Sequence, residues 1–117
     1  MNKRKKGSRG EEIAARYLQT RGYVILERNY RFERGEIDIV AKDGETLVFV
    51  EVKTRSSDAY GEPEDAVDDR KQGQLRTVAE GYLFDHEIEN QSCRFDVVAI
   101  TMKDDTVAIR LIQHAFL

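Results

Sequence analysis

Apolar positions recur along this chain with two different periods. Within residues 10–21, Ile13, Ala14, Tyr17 and Leu18 fall on one side of a helix and Glu12, Arg16 and Gln19 on the other, with Gly22 as a stop. Ser8-Arg9-Gly10-Glu11 has the spacing of a capping box, which would satisfy orphan amides of the first turn. The pattern then changes to strands: one over 23–30, a charged loop over 31–35, and two apolar runs over 35–41 and 46–53 joined at Asp43-Gly44, a strong hairpin signal. A second helix is predicted over 69–84, where Leu75, Val78, Ala79, Tyr82 and Leu83 share helical spacing, although Gly73 and Gly81 each cost about 1 kcal/mol relative to alanine. Residues 94–100 and 106–112 close the chain as a hairpin around Lys103-Asp104-Asp105.

The central hairpin carries charge inside its strands. A two-residue loop with Lys42 facing Glu45 sets Glu36 opposite Glu51, Asp38 opposite Phe49 and Val40 opposite Leu47. Alternation then projects Glu36, Asp38, Val40, Leu47, Phe49, Glu51 and Lys53 from one face, and Ile37, Ile39, Ala41, Val48, Val50 and Val52 from a buried one. The first face is apolar near the turn and acidic at the far end. This depends on an even loop count, because an odd count without a bulge would put Asp38 and Glu51 on opposite sides of the sheet.

Composition sets the frame for this acidic end. With 117 residues, 40% hydrophobic and 35% charged, the chain suits one globular domain over 10–117 that needs no disulfide. The single cysteine, Cys93, precedes an apolar strand and reads as a small core residue, which fits a reducing, cytoplasmic setting. No apolar run reaches membrane-spanning length. A net charge of −3 argues against a general nucleic-acid coat protein, but Lys3, Arg4, Lys5, Lys6 and Arg9 form a basic arm over 1–9, either a flexible solvated tail or a non-specific phosphate contact. His86 and His114 lack partners at ligand spacing and read as surface or packing residues.

Carboxylates beside aliphatic strands are costly unless their charge is compensated. Lys53 is one positive charge against Glu36, Asp38 and Glu51. An all-oxygen site of this kind suits Mg2+ or Mn2+, held by Asp38 and Glu51 with the backbone carbonyl of Val52, whereas Zn2+ would want His or Cys. Such an ion polarises a phosphoryl oxygen and lowers the pKa of bound water, and Lys53 is placed to orient that water or stabilise developing charge. Glu11 borders the buried stripe of the first helix and is able to lean over the site. Lys71 and Gln74 flank the inner face of the second helix, within reach of a phosphate, and Arg55 and Ser56 lie on the loop leaving the acidic end. Against all this stands a bland alternative: Lys53 bridges Glu51 and Glu36, Asp38 takes a surface arginine, and the acidic end is an ion-paired strand terminus.

Asp38 followed one strand later by Glu51-Val52-Lys53 resembles the PD-(D/E)xK signature of restriction-endonuclease-like nucleases, with Ile37-Asp38 in place of Pro-Asp. More closely, Gly10-Glu11, Gly35-Glu36-Ile37-Asp38, Phe49-Val50-Glu51-Val52-Lys53-Thr54-Arg55, Gly61-Glu62-Pro63, Lys71 and Arg94-Phe95-Asp96-Val97-Val98 resemble the YraN-type family of small bacterial proteins, itself similar to archaeal Holliday-junction resolvases. The resemblance implies an α/β fold of three layers, a mixed sheet flanked by helices in αβββαβ order with an extra C-terminal strand. It also implies a magnesium site with Asp38 and Glu51 as ligands, Lys53 as catalytic lysine and Glu11 as the first-helix glutamate. Glu36, Arg55, Lys71 and Gln74 are then supporting or substrate-binding residues, although the Gln-x-x-x-Tyr form is absent because Val78 stands where the tyrosine would be. DNA, branched or processed, is the implied substrate, and a homodimer the implied assembly. Two alternatives stay open: a non-catalytic nucleic-acid-binding or complex-assembly module, and a metal-dependent phosphoesterase acting on RNA.

Overall fold

The computed structural model describes residues 3–56 and 67–116, with the backbone alone for 3–8. Along the chain these form α1 (Lys3–Thr20), β1 (Val24–Phe32), β2 (Gly35–Asp43), β3 (Thr46–Arg55), α2 (Asp69–Asp85), β4 (Cys93–Lys103) and β5 (Thr106–Phe116). The strands lie side by side in sequence order in a single sheet. Neighbours are antiparallel except β3 and β4, which run parallel because the connection between them passes through α2. The Gly61-Glu62-Pro63 stretch of the family resemblance lies outside the described residues.

Each helix covers one face of the sheet. Ala14, Ala15 and Leu18 of α1 pack on Ile39, Ala41, Val48, Val50, Val98 and Ile100. On the other side Leu75, Val78, Ala79 and Tyr82 of α2 pack on Val40, Leu47, Phe49 and Val97. The helix faces expected from periodicity are therefore the buried ones, and the layers are α/β/α. Asp68 caps α2, accepting from the backbone N–H of Lys71 at 2.9 Å. The glycine at 81 in α2 is used for close approach: a Cβ there would lie 2.3 Å from Cδ1 of Phe32 on β1.

Three local expectations are corrected. α1 begins at Lys3, so Ser8 and Glu11 lie inside the helix and form no capping box at its start. The β2–β3 loop is Gly44-Glu45, flanked by the pair Asp43–Thr46, so Lys42 faces Leu47 and Val40 faces Phe49. Only Gly44 of the two loop residues has positive φ, at 62°, the pattern of a type II′ turn. The loop count stays even, as the site requires, but the register moves by two residues and carries Asp38 to the level of Glu51. Third, Ile37 belongs to the α2-side core while Ile39 belongs to the α1-side core. Residues two apart should share a face, so alternation breaks at Asp38. β1 breaks at the same level: Tyr30 reaches Asp85 of α2 and Arg28 reaches Glu12 of α1, on opposite sides of Asn29, whose φ is 57°.

Because the Phe32 ring already fills the space beside Gly81, Gly81→Ala is expected to destabilise the fold by about 1–2 kcal/mol, the crowding term outweighing the gain in helix propensity. Chemical denaturation checks this, and a more stable variant would contradict the packing described.

Candidate functional site

The acidic end of the hairpin is a fork. Pairing between β2 and β3 runs from Asp43–Thr46 to Ile39–Val50 and stops. Beyond that rung β2 stays paired with β1 as far as Gly35–Phe32, and β3 stays paired with β4 as far as Arg55–Thr101. Asp38 occupies the mouth of the opening, where its Oδ2 accepts from the backbone N–H of Val52 at 2.8 Å, a side chain serving where the strand ladder has ended. Val52 thus meets Asp38 through its amide; the carbonyl was the atom expected to matter from the sequence.

Carboxylates enter the fork from both layers. Glu51 is on β3 and 5% exposed. Its carboxyl lies close enough to Asp38 to perturb it, and its Oε2 lies 3.2 Å from Nζ of Lys71 on α2. That contact is an ion pair without hydrogen-bond geometry, and Oε2 is buried with no hydrogen-bond partner. Glu11 comes from α1, which can approach because residue 10 is glycine: a Cβ there would sit 2.2 Å from Oγ1 of Thr54 on β3. One oxygen each from Glu11, Glu36 and Asp38 lies within 4.8 Å of the other two, a spacing able to hold a cation. Glu36 is paired with the exposed Arg31 at 3.0 Å.

Crowding of like charges controls the electrostatics. The Asp38 carboxyl is pushed up to about 9, first by burial and then by the hydrogen bond and charge of Glu51, with the Val52 amide opposing. Near neutral pH the Asp38–Glu51 pair therefore holds a proton. Burial also raises the Glu11 carboxyl; Arg28 opposes this, Glu36 and Glu51 reinforce it, and nearby Asn29 opposes it. Glu11 Oε1 is itself buried and without a hydrogen-bond partner.

Of the residues singled out from the sequence, the fold brings Glu11, Glu36, Asp38, Glu51 and Lys71 together. Lys53 follows Glu51 on β3, half-buried, on the same face by alternation. The ion pairs differ from the bland alternative, since Lys71, not Lys53, meets Glu51, and Arg31 meets Glu36. Gln74 lines a cleft of about 130 Å³ with Phe32, Arg34 and Thr77, next to Lys71 by one helical turn. Arg55 ends β3, and Ser56 is exposed just past it. Sequence reasoning passed over Asn29; an asparagine inside a strand pattern is the available signal for a left-handed residue.

A second buried carboxylate, Asp96 on β4, is in register with Val50, one rung from Glu51, and is fully engaged. It accepts from Tyr23 at 2.7 Å, from Arg94 at 3.0 Å and from the His114 amide at 3.0 Å. Arg94 also donates to Asp43 at 2.6 Å, beside the hairpin turn. Satisfied entirely within the protein, the Arg94–Asp96 pair is a structural clamp. His86 stacks on Tyr82 with ring centroids 3.9 Å apart, the packing role expected for it.

A five-stranded mixed sheet between two helices makes this a three-layer α/β protein, an arrangement compatible with a nuclease-like fold. Residues 10–100 match the uncharacterised protein family UPF0102, and the chain belongs to it. A UPF0102 protein of Syntrophus aciditrophicus is 49% identical over 110 residues, covering 94% of this chain and 87% of that one. One from Moorella thermoacetica is 48% identical over 118 residues, covering 99% and 98%. Another, from Caldicellulosiruptor saccharolyticus, has 48% identity with coverage of 99% and 100%.

The raised Asp38 carboxyl has a signed consequence for stability. The native state holds this proton more tightly than an unfolded chain, whose aspartates titrate near about 3.9. Its contribution is therefore complete at low pH and is lost as pH rises through about 9. Asp38→Asn imitates the protonated carboxyl and is expected to flatten this fall, raising metal-free stability at pH 9 by at least about 1 kcal/mol, roughly 4 °C in Tm. Melting curves from pH 5 to 9 test it; a variant with the wild-type slope and lower stability throughout would refute the shared proton.

Proposed function

We propose that this protein is a magnesium- or manganese-dependent nuclease that hydrolyses phosphodiester bonds in DNA, acting on branched or processed structures. The observation that carries the reading is the fork itself: Glu11, Glu36 and Asp38 converge within 4.8 Å, and buried oxygens of Glu11 and Glu51 are left without hydrogen bonds. Folded proteins seldom leave such groups unmatched unless a ligand or ion is to meet them. The donors are all carboxylate oxygens, which fits a hard divalent cation. When bound, such an ion supplies Lewis-acid polarisation of the phosphoryl group and acidifies water.

The chain's own residues fill the remaining roles. Asp38 and Glu51 hold the centre of the site, with Glu11 and Glu36 closing it from α1 and β2. Lys53 orients the attacking water and offsets charge developing on the phosphate. Lys71 pairs with Glu51 from the α2 layer, and Arg55, Gln74 and Arg31 would contact a passing nucleic-acid backbone. A cytoplasmic enzyme is consistent with a single free cysteine, and among the described residues no helix is long and apolar enough to cross a membrane.

A second reading is favoured by two contacts, Lys71 with Glu51 and Arg31 with Glu36. If these ion pairs are the whole compensation, the protein is a nucleic-acid-binding module on a nuclease-like fold. One experiment separates the two. Linear, nicked, flapped and four-way-junction DNA are incubated with Mg2+ or Mn2+ and each of wild type, Glu51→Ala and Lys53→Ala. The nuclease reading expects cleavage by wild type that chelation abolishes, and a loss of roughly 10²-fold or more in each variant. DNA binding without cleavage in any metal would favour the module, and cleavage unchanged in both variants would place the activity elsewhere.

A further inference from the structure

We infer that Lys71 is a built-in stand-in for the cation: its ammonium neutralises Glu51 when no ion is bound and must be displaced before Glu51 can serve a divalent ion. The inference rests on the cation-site reading of the fork. It adds the regulation of that site, a threshold on ion binding set by a lysine of the chain itself.

The contacts at the fork fall into two groups. Oxygens of Glu11, Glu36 and Asp38 lie within 4.8 Å of one another, and Glu51 is not part of that grouping. Its Oε2 is instead 3.2 Å from Nζ of Lys71. Glu51 therefore borders the cluster while its charge is spent on the α2 layer. To give an oxygen to an ion held by Asp38, the Glu51 carboxyl has to leave Lys71, because two cations on one buried carboxylate repel each other.

The Lys71 contact has the properties of an exchangeable partner. A buried pair that stabilises a fold needs good geometry and further hydrogen bonds on both groups. Here the contact lacks hydrogen-bond geometry, and Glu51 Oε2 is buried with no hydrogen-bond partner. The Lys71 side chain is 36% exposed against 6% for that of Glu51, so the ammonium has a route to water that the carboxylate lacks. Nor does α2 favour the lysine where it stands. Lys71 is the third residue after the Asp68 cap, in the first turn, where the helix dipole disfavours a cation. The Arg31–Glu36 pair is a weaker competitor, since the Arg31 side chain is 76% exposed and its charge is screened by water.

Calorimetric titration of the full chain with Mn2+ tests the assignment on wild type, Lys71→Met and Lys71→Arg, with melting curves of each in zero and saturating Mn2+. Methionine keeps most of the stem and removes the charge, and is expected to bind Mn2+ about 10-fold more tightly than wild type. Arginine keeps the charge and is expected to give no tightening. Without metal, Lys71→Met is expected to melt below wild type, because Glu51 loses its counter-charge. Saturating Mn2+ is expected to narrow that gap, since an ion stabilises the tighter binder more. Unchanged or weaker Mn2+ affinity in Lys71→Met, equal tightening in both variants, or a melting gap that Mn2+ leaves as it was would overturn the stand-in role while leaving the cation site intact. Failure of wild type and Lys71→Met alike to bind Mn2+ would instead remove the cation site, and this inference with it.

Discussion

The structure is organised around the burial of two carboxyl groups, Asp38 and Glu51, side by side where β2 and β3 separate. Two ionised carboxylates side by side in a water-poor setting repel strongly, so the pair retains a proton and draws Lys71 toward it. The ladder between the two strands ends one rung before them. Without that opening Asp38 would project from an ordinary strand face; with it, the carboxyl reaches the Val52 amide and meets groups arriving from both sides of the sheet.

Neighbouring positions of the sheet solve the problem of buried charge differently. On β4, Asp96 is 1% exposed and its oxygens are engaged by a tyrosine, an arginine and a backbone amide. That network ties α1's exit, the β2–β3 turn and β4 together and needs nothing from outside. At the forked end, oxygens of Glu11 and Glu51 are buried without hydrogen bonds. A fold that satisfies one buried carboxylate fully has the means to satisfy its neighbours, and the oxygens it leaves unmatched are where an external cation would lower the energy most.

Close helix approach serves the same end. Gly10 admits Thr54 under α1, and the Glu12–Arg28 ion pair holds that helix to β1, so Glu11 is carried over the fork by the layer above. From the opposite layer, Asp68 caps α2 and begins the turn that presents Lys71 to Glu51. The centre is thus built from α1, β2, β3 and α2, and none of these elements holds enough of it to act alone.

Periodicity alone determined much of this protein: which residues of α1 and α2 face inward, and the five strands and their order along the chain. These follow from local rules, because side-chain direction in a helix or strand is set by backbone geometry and apolar residues must be covered. The resemblance in Gly35-Glu36-Ile37-Asp38 and Glu51-Val52-Lys53 named the acidic end before any contact was visible. Tertiary structure decided what local rules cannot express. The hairpin register moved by two residues because Gly44, with its positive φ, takes the first loop position. Ile37 and Ile39 went to opposite cores because Asn29 and Asp38 break alternation together across paired strands. Lys71 became the partner of Glu51 because α2 packs over β3, a relation between residues twenty apart that no spacing rule encodes. Alternation belongs to one strand at a time; the fork belongs to two strands and two helices at once, and so it appears only when the layers close.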